Sequence, residues 1–178
     1  MQWNPKLNID DLLNEFYTKM YGSAAPAMKK YFDLMEQSWM TPRPGHNTGW
    51  VSWNIVRQAT SISPEAVREG LDLLNQAMAQ AKTPLEKKRI DITRGGLQFA
   101  SYAVLEFDLA QQLAAIPVTN AAQAEAARDK VHELAALMQD RKIYWAAAEK
   151  RDDLLGANIR ALSAFGGGML QHDFSPLE

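Results

Sequence analysis

The 178-residue chain predicts an all-α fold, an antiparallel bundle of five to six helices. Apolar residues recur at three- and four-residue spacing along most of its length. Asn8, Ser23, Ser63 and Thr83 stand ahead of four of these runs, three times with a proline in the first turn. No segment alternates with period two between hairpin turns, and no internal repeat of 30 to 45 residues is evident.

Asn8 is placed to cap a first helix over 9–21, on which Ile9, Leu12, Leu13, Phe16 and Met20 share one face, and Gly22 supplies a left-handed stop. Ser23 is expected to cap the second helix. Pro26 falls in its first turn, where a missing N–H costs little, and Met28, Tyr31, Phe32, Met35 and Trp39 form its apolar stripe. Pro42 and Pro44 end that run. A long loop, 41–62, then carries "TPRPGHNTGWVSWN" before Ser63-Pro64 opens a third helix faced by Val67, Leu71, Leu74, Met78 and Ala81.

"TPLEKKR" holds a capping box in which Thr83 is the cap, Pro84 the first helical residue and Glu86 the side chain that reaches back. The helix it opens should run from about 84 to 115. Two apolar sets, Leu85, Ile92, Phe99 and Ala103 with Leu97, Leu105 and Leu109, make its stripe too wide for burial on one side. It belongs in the middle of the bundle. Each of Gly95 and Gly96 costs about 1 kcal/mol against alanine inside a helix, so close approach of a neighbouring helix is expected there, a kink being the alternative. A helix from about 120 to 150 follows with Val131, Leu134, Met138 and Trp145, and a last one with Leu154, Leu155, Ile159 and Leu162 stops at Gly166-Gly167-Gly168. The tail beyond is read as irregular.

Residues 1–174 are expected to be one helical domain, since 47% hydrophobic and 22% charged side chains suit a single core. Nineteen basic and 21 acidic residues, net charge -2, leave no basic footprint for nucleic acid. The chain has no cysteine, so thiolate chemistry and disulfides are excluded. No apolar run approaches the roughly 20 residues of a membrane span, so neither nucleic acid nor membrane is an expected partner. "MQWNP" reads like the interior of a longer protein and residues 175–178 like a cloning remainder, which predicts an excised domain.

Candidate chemistry is sparse. "HELAA" at 132–136 begins like a zinc-protease helix but has Ala136 where the second histidine is needed, and His46 and His172 follow no ligand spacing. The glycines at 166–168 follow a helix and open none, unlike a phosphate cradle. No metal or cofactor is expected. "EKRDD" at 149–153 offers carboxylates for acid/base work or a charged helix corner. Arg94 and Arg160 lie among apolar residues, where a guanidinium either snorkels to the surface or pairs with an acid across the bundle or with another domain. Arg43, His46, Trp50 and Trp53 in the long loop, with Trp3, Tyr17 and Tyr21 as neighbours, offer flat faces with polar tips suited to sugar stacking or to an interface, the alternative being a plug for the bundle's end.

The stretch "WNPKLNIDDLLNEFYTKMYGSAAPAMKKYFDLME", with its acidic-Leu-Leu helix, "FY" and "YG" before small residues, resembles the C-terminal helical region of bacterial proteins in the family called domain of unknown function 4838. "TPLEKKRIDITRGGLQFASY" and the closing helices fit the same layout, so the resemblance extends over nearly the whole chain. Members of that family look like glycoside hydrolases of the α-glucuronidase and β-hexosaminidase kind. The resemblance implies a catalytic barrel in the same polypeptide, with the catalytic acids in that barrel and Trp3 near the junction.

On that footing the chain is expected to be a non-catalytic accessory domain of a carbohydrate-active enzyme, with no hydrolase activity of its own, from a secreted or periplasmic parent. Its expected partners are the barrel, an oligosaccharide at the Arg43, His46, Trp50 and Trp53 loop, and weakly a second copy of itself when isolated. Two alternatives stand beside it: a self-contained carbohydrate-binding module, and an independent helical enzyme using Asp152 and Asp153 with Arg160.

Overall fold

The computed structural model describes residues 8–41 and 61–166. Among them lie six α-helices and no strand: α1 (Ile9–Tyr21), α2 (Ala25–Met40), α3 (Pro64–Gln80), α4 (Pro84–Ala114), α5 (Ala121–Glu149) and α6 (Leu154–Gly166). The all-α bundle is what the apolar periodicity predicts, and the helix ends follow the caps. The Asn8 side chain accepts from the Asp10 N–H at 2.9 Å, and the Ser63 hydroxyl accepts from the Ala66 N–H at 3.1 Å. At Thr83 both halves of the capping box are made: the Glu86 N–H donates to Oγ1 at 3.2 Å, and the Thr83 N–H donates to Glu86 Oε2 at 3.1 Å.

The corner between α1 and α2 differs from expectation in two ways. Gly22 has φ 53° and ψ -123°, a positive-φ conformation outside the left-handed helical well that only glycine adopts cheaply. A Cβ there would also stand 2.3 Å from Glu86 Oε1. Ser23 caps nothing. Residues Gly22–Ala24 form a turn of 3-10 helix, and the Ser23 hydroxyl donates instead to the Gln80 carbonyl at 2.6 Å, tying the corner to the end of α3.

α4 occupies the middle of the bundle, in contact with α1, α3, α5 and α6. One core lies between the first four helices, where Met28, Leu74, Ala77, Ile90 and Leu97 are buried with Tyr17, Tyr21 and Tyr31. Phe32 joins the tyrosines, its ring 5.7 Å from Tyr17 and 5.0 Å from Tyr31. A second core lies on the other side of α4, where Ala148, Leu155 and Ile159 meet Ile92, Phe99, Tyr144 and Trp145. Farther along the same helix, Glu106, 1% exposed, pairs with Arg141 of α5 at 3.0 Å.

Several residues of the apolar rows face outward. Ile9, Leu12, Leu13 and Phe16 are exposed, because α1 packs through Tyr17 and Tyr21, about a quarter-turn around the helix from that row. Trp39, Leu85, Val131, Leu154 and Leu162 are exposed as well. Periodicity fixes an apolar face, but the neighbours decide which side of the helix they cover.

The two glycines of α4 separate cleanly. A Cβ on Gly95 would meet Leu155 Cδ2 at 2.2 Å and the Tyr144 hydroxyl at 3.2 Å, whereas one on Gly96 would meet nothing within 4 Å. Close approach, not a kink, accounts for Gly95. Gly96→Ala is therefore expected to raise the urea-unfolding free energy by about 0.5–1 kcal/mol through helix propensity. Gly95→Ala should lower it by about 1–2 kcal/mol through overpacking.

Candidate functional site

One face of α4 carries Asp91, Arg94, Gly95, Gln98 and Tyr102, spaced three or four residues apart so that they share a side of the helix. Leu71 and Asn75 of α3 form one wall above them. Tyr144 of α5 and Arg151, in the connection after it, form the other. The result is a cleft of about 410 Å³ lined mostly by polar groups.

Asp91 organises the cleft. Its Oδ1 accepts from Arg94 Nη2 at 3.0 Å and its Oδ2 from Arg151 Nη2 at 2.6 Å. Burial acts to raise the Asp91 carboxyl pKa, but the two guanidiniums outweigh it and hold the group below its usual range. Arg151 is fixed from its other side by Asp153, whose Oδ2 accepts from Nη2 at 2.5 Å and from Nε at 3.1 Å. Asp153 Oδ1 also accepts from the Gly156 N–H at 3.1 Å, at the start of α6. The guanidinium of Arg151, then this N–H, hold the Asp153 carboxyl down at about 2.

The connection itself is held by Arg160. Its Nη1 donates to the Glu149 carbonyl at 2.6 Å, the last of α5, and to the Arg151 carbonyl of the connection at 2.8 Å. On the floor of the cleft the Tyr144 hydroxyl donates to the Gly95 carbonyl at 2.8 Å. Its ring centroid lies 5.7 Å from that of Tyr102, and burial pushes both phenols up from their ordinary pKa.

A second cleft, about 450 Å³, lies farther along α4 between Arg68 of α3 and Lys130, Glu133 and Asp140 of α5. Its rim mixes both charge signs. Among the described residues no three or more His, Asp or Glu side chains converge on a common point, and His132 is exposed on α5.

Arg43, His46, Trp50 and Trp53, together with Trp3, lie outside the described residues. Tyr17 and Tyr21, expected beside that loop, are buried in the first core and offer no face to a sugar. Arg94 and Arg160 both reach the surface, Arg94 paired with Asp91 of its own helix and Arg160 bonded to backbone carbonyls, and among the described residues neither meets an acid across the bundle. Asp152, Asp153 and Arg160 do not form an acid/base set: Asp152 is exposed, Asp153 is committed to Arg151 and to α6, and Arg160 to backbone carbonyls. The sequence reading missed Asn75, Gln98, Tyr102, Tyr144 and Arg151 as a group. The spacing of Asp91, Arg94, Gln98 and Tyr102 on one helix face was available as a signal; which residues of α3 and α5 stand opposite was not.

Comparison with protein-family profiles, with curated proteins and with solved structures gives no match for the chain. Fold and cleft together define a helical bundle built around α4, and no described helix is long and apolar enough to cross a membrane.

The Arg151–Asp153 pair sets a pH dependence. A carboxyl whose folded pKa is depressed contributes stability above its ordinary value of 3.8, and that contribution is lost as pH falls toward about 2. The urea midpoint should therefore drop between those values. Asp153→Asn keeps a capping side chain but removes the ion pair, so it should cost about 1 kcal/mol at neutral pH, discounted for solvent around Arg151. The variant should also show a shallower acid drop, its curve meeting that of the wild type at the acid end.

Proposed function

We propose that the chain is a non-catalytic helical accessory domain of a glycoside-hydrolase-like, carbohydrate-active enzyme, and that it packs on the catalytic barrel of the same polypeptide through α1. The observation that carries this reading is the outward row of α1: Ile9, Leu12, Leu13 and Phe16 are 71%, 43%, 41% and 46% exposed. These residues recur at i, i+3, i+4 and i+7, so they form one continuous stripe and not scattered exposures. α2 adds Trp39 and Met40, also exposed, at its end.

Full burial of such a side chain from water is worth about 1.5–3 kcal/mol, so covering the exposed part of these four, roughly half of each, is a gain. The inner face of α1 is already occupied by the tyrosine cluster. A second packing surface on an amphipathic helix is what a helix lying between two bodies requires. The resemblance of "WNPKLNIDDLLNEFYTKMYG" to the helical region that follows a sugar-processing barrel supplies the nature of the second body.

The test is hydrogen exchange at the α1 amides, read in this chain alone and in a longer polypeptide that includes the barrel. Residues 9–16 should exchange at least tenfold more slowly in the longer protein. Ile9→Asp with Leu12→Asp, both on the outer row and neither buried, should abolish that difference while leaving the unfolding midpoint of the isolated chain nearly unchanged. Equal exchange rates in the two proteins would remove the interface.

A further inference from the structure

We propose that the cleft over α4 is a binding site for a small uncharged polyhydroxylated ligand, of monosaccharide to disaccharide size, with Asn75 and Arg94 as its principal hydrogen-bonding groups. This goes beyond the docking role of α1 and does not depend on it, since the cleft is formed within this chain.

Size and charge come first. A volume of about 410 Å³ lies within the range of small-ligand pockets. The ionised groups in and behind the cleft cancel: Arg94 and Arg151 are matched by Asp91 and Asp153, and both oxygens of Asp91 already accept from guanidiniums. A carboxylate or phosphate entering here would meet Asp91 with no surplus positive charge to draw it in. An uncharged ligand meets no such opposition.

The groups left over suit hydroxyls. Asn75 is exposed on α3, and among the described residues its carboxamide makes no hydrogen bond, leaving two donors and an acceptor free. Arg94 spends Nη2 on Asp91, and its remaining N–H groups have no acceptor among the described residues. Gln98 lies between them and Tyr102 along α4, its Nε2 donating to Ser101 Oγ at 3.3 Å. Planar amide and guanidinium groups offer paired polar atoms at the separation of neighbouring hydroxyls on a sugar ring. Leu71 and the rings of Tyr102 and Tyr144 give the apolar surface that the C–H face of such a ring requires.

The site is also held in shape before any ligand arrives. The Tyr144–Gly95 bond fixes the floor, and the Arg151–Asp91 pair fixes Asp91, which in turn holds Arg94 at the rim.

The experiment is a titration of the 15N-labelled chain, followed by amide chemical shifts, with glucose, xylose and cellobiose, and with glucuronate and inorganic phosphate as charged controls. At least one neutral sugar should shift the amides of residue 75 and residues 91–98 saturably, with a Kd of about 1 mM or somewhat weaker. Asn75→Ala, at an exposed position that leaves the fold intact, should weaken that binding about fivefold or more; Arg68→Ala, in the other cleft, should leave it unchanged. Absence of saturable shifts at these amides with every neutral sugar would overturn the proposal. So would tighter binding of glucuronate or phosphate than of the neutral sugars, which would make this an anion site.

Discussion

The bare backbone of α4 at Gly95 is the constraint on which the second half of the molecule depends. With no side chain at that position, Leu155 of α6 reaches the helix axis closely, and the Tyr144 hydroxyl of α5 reaches the Gly95 carbonyl at 2.8 Å. Leu155 is one of the three buried residues of the second core. Arg151 stands four residues before it, so seating Leu155 against α4 also brings that guanidinium within 2.6 Å of Asp91. One missing methyl group thus permits both an apolar core and the polar wall above it.

At its other end α4 performs a similar service for α1 and α2. Glu86 accepts from the Thr83 and Lys82 N–H groups at 3.1 and 2.8 Å, and its side chain fills the space that a Cβ on Gly22 would need. One turn later Arg89 Nη1 donates to the Met20 carbonyl at 2.9 Å, closing the end of α1. The inner side of α1 is therefore fixed by α4 and by the tyrosine cluster. What remains exposed on α1 is its outer row, and the proposed docking role rests on that row.

Much of this was legible in the chain itself, and for reasons that differ by residue. Caps act over three or four residues, so Asn8, Ser63 and Thr83 marked helix starts that the structure keeps. The width of the apolar surface on 84–115 placed α4 centrally, as observed. Ser23 failed because a hydroxyl near a helix start can instead be taken by a distant carbonyl, here that of Gln80. That the apolar row of α1 faces outward was not legible, because period alone does not say which side of a helix its neighbours cover. The cleft was half visible: Arg94 and the charged run at 149–153 both drew notice, but only the packing of α3 and α5 onto α4 places Asn75, Tyr144 and Arg151 around Asp91.

The functional reading combines two surfaces with different chemistry, an apolar row on α1 suited to a large neighbour and a charge-balanced cleft on α4 suited to a small polar one. They lie on helices that share α4 as support, but the wall of the cleft opposite α3 rests on the seating of α5 and α6 at Gly95. The most direct test of that seating is a nuclear Overhauser measurement between the Leu155 methyls and the Gly95 α-protons in a methyl-labelled sample. The structure predicts a strong cross-peak, one that survives when α1 carries polar substitutions. Its absence, with the Leu155 methyls reporting other neighbours, would mean that α6 does not close on Gly95 and would dismantle both the second core and the cleft.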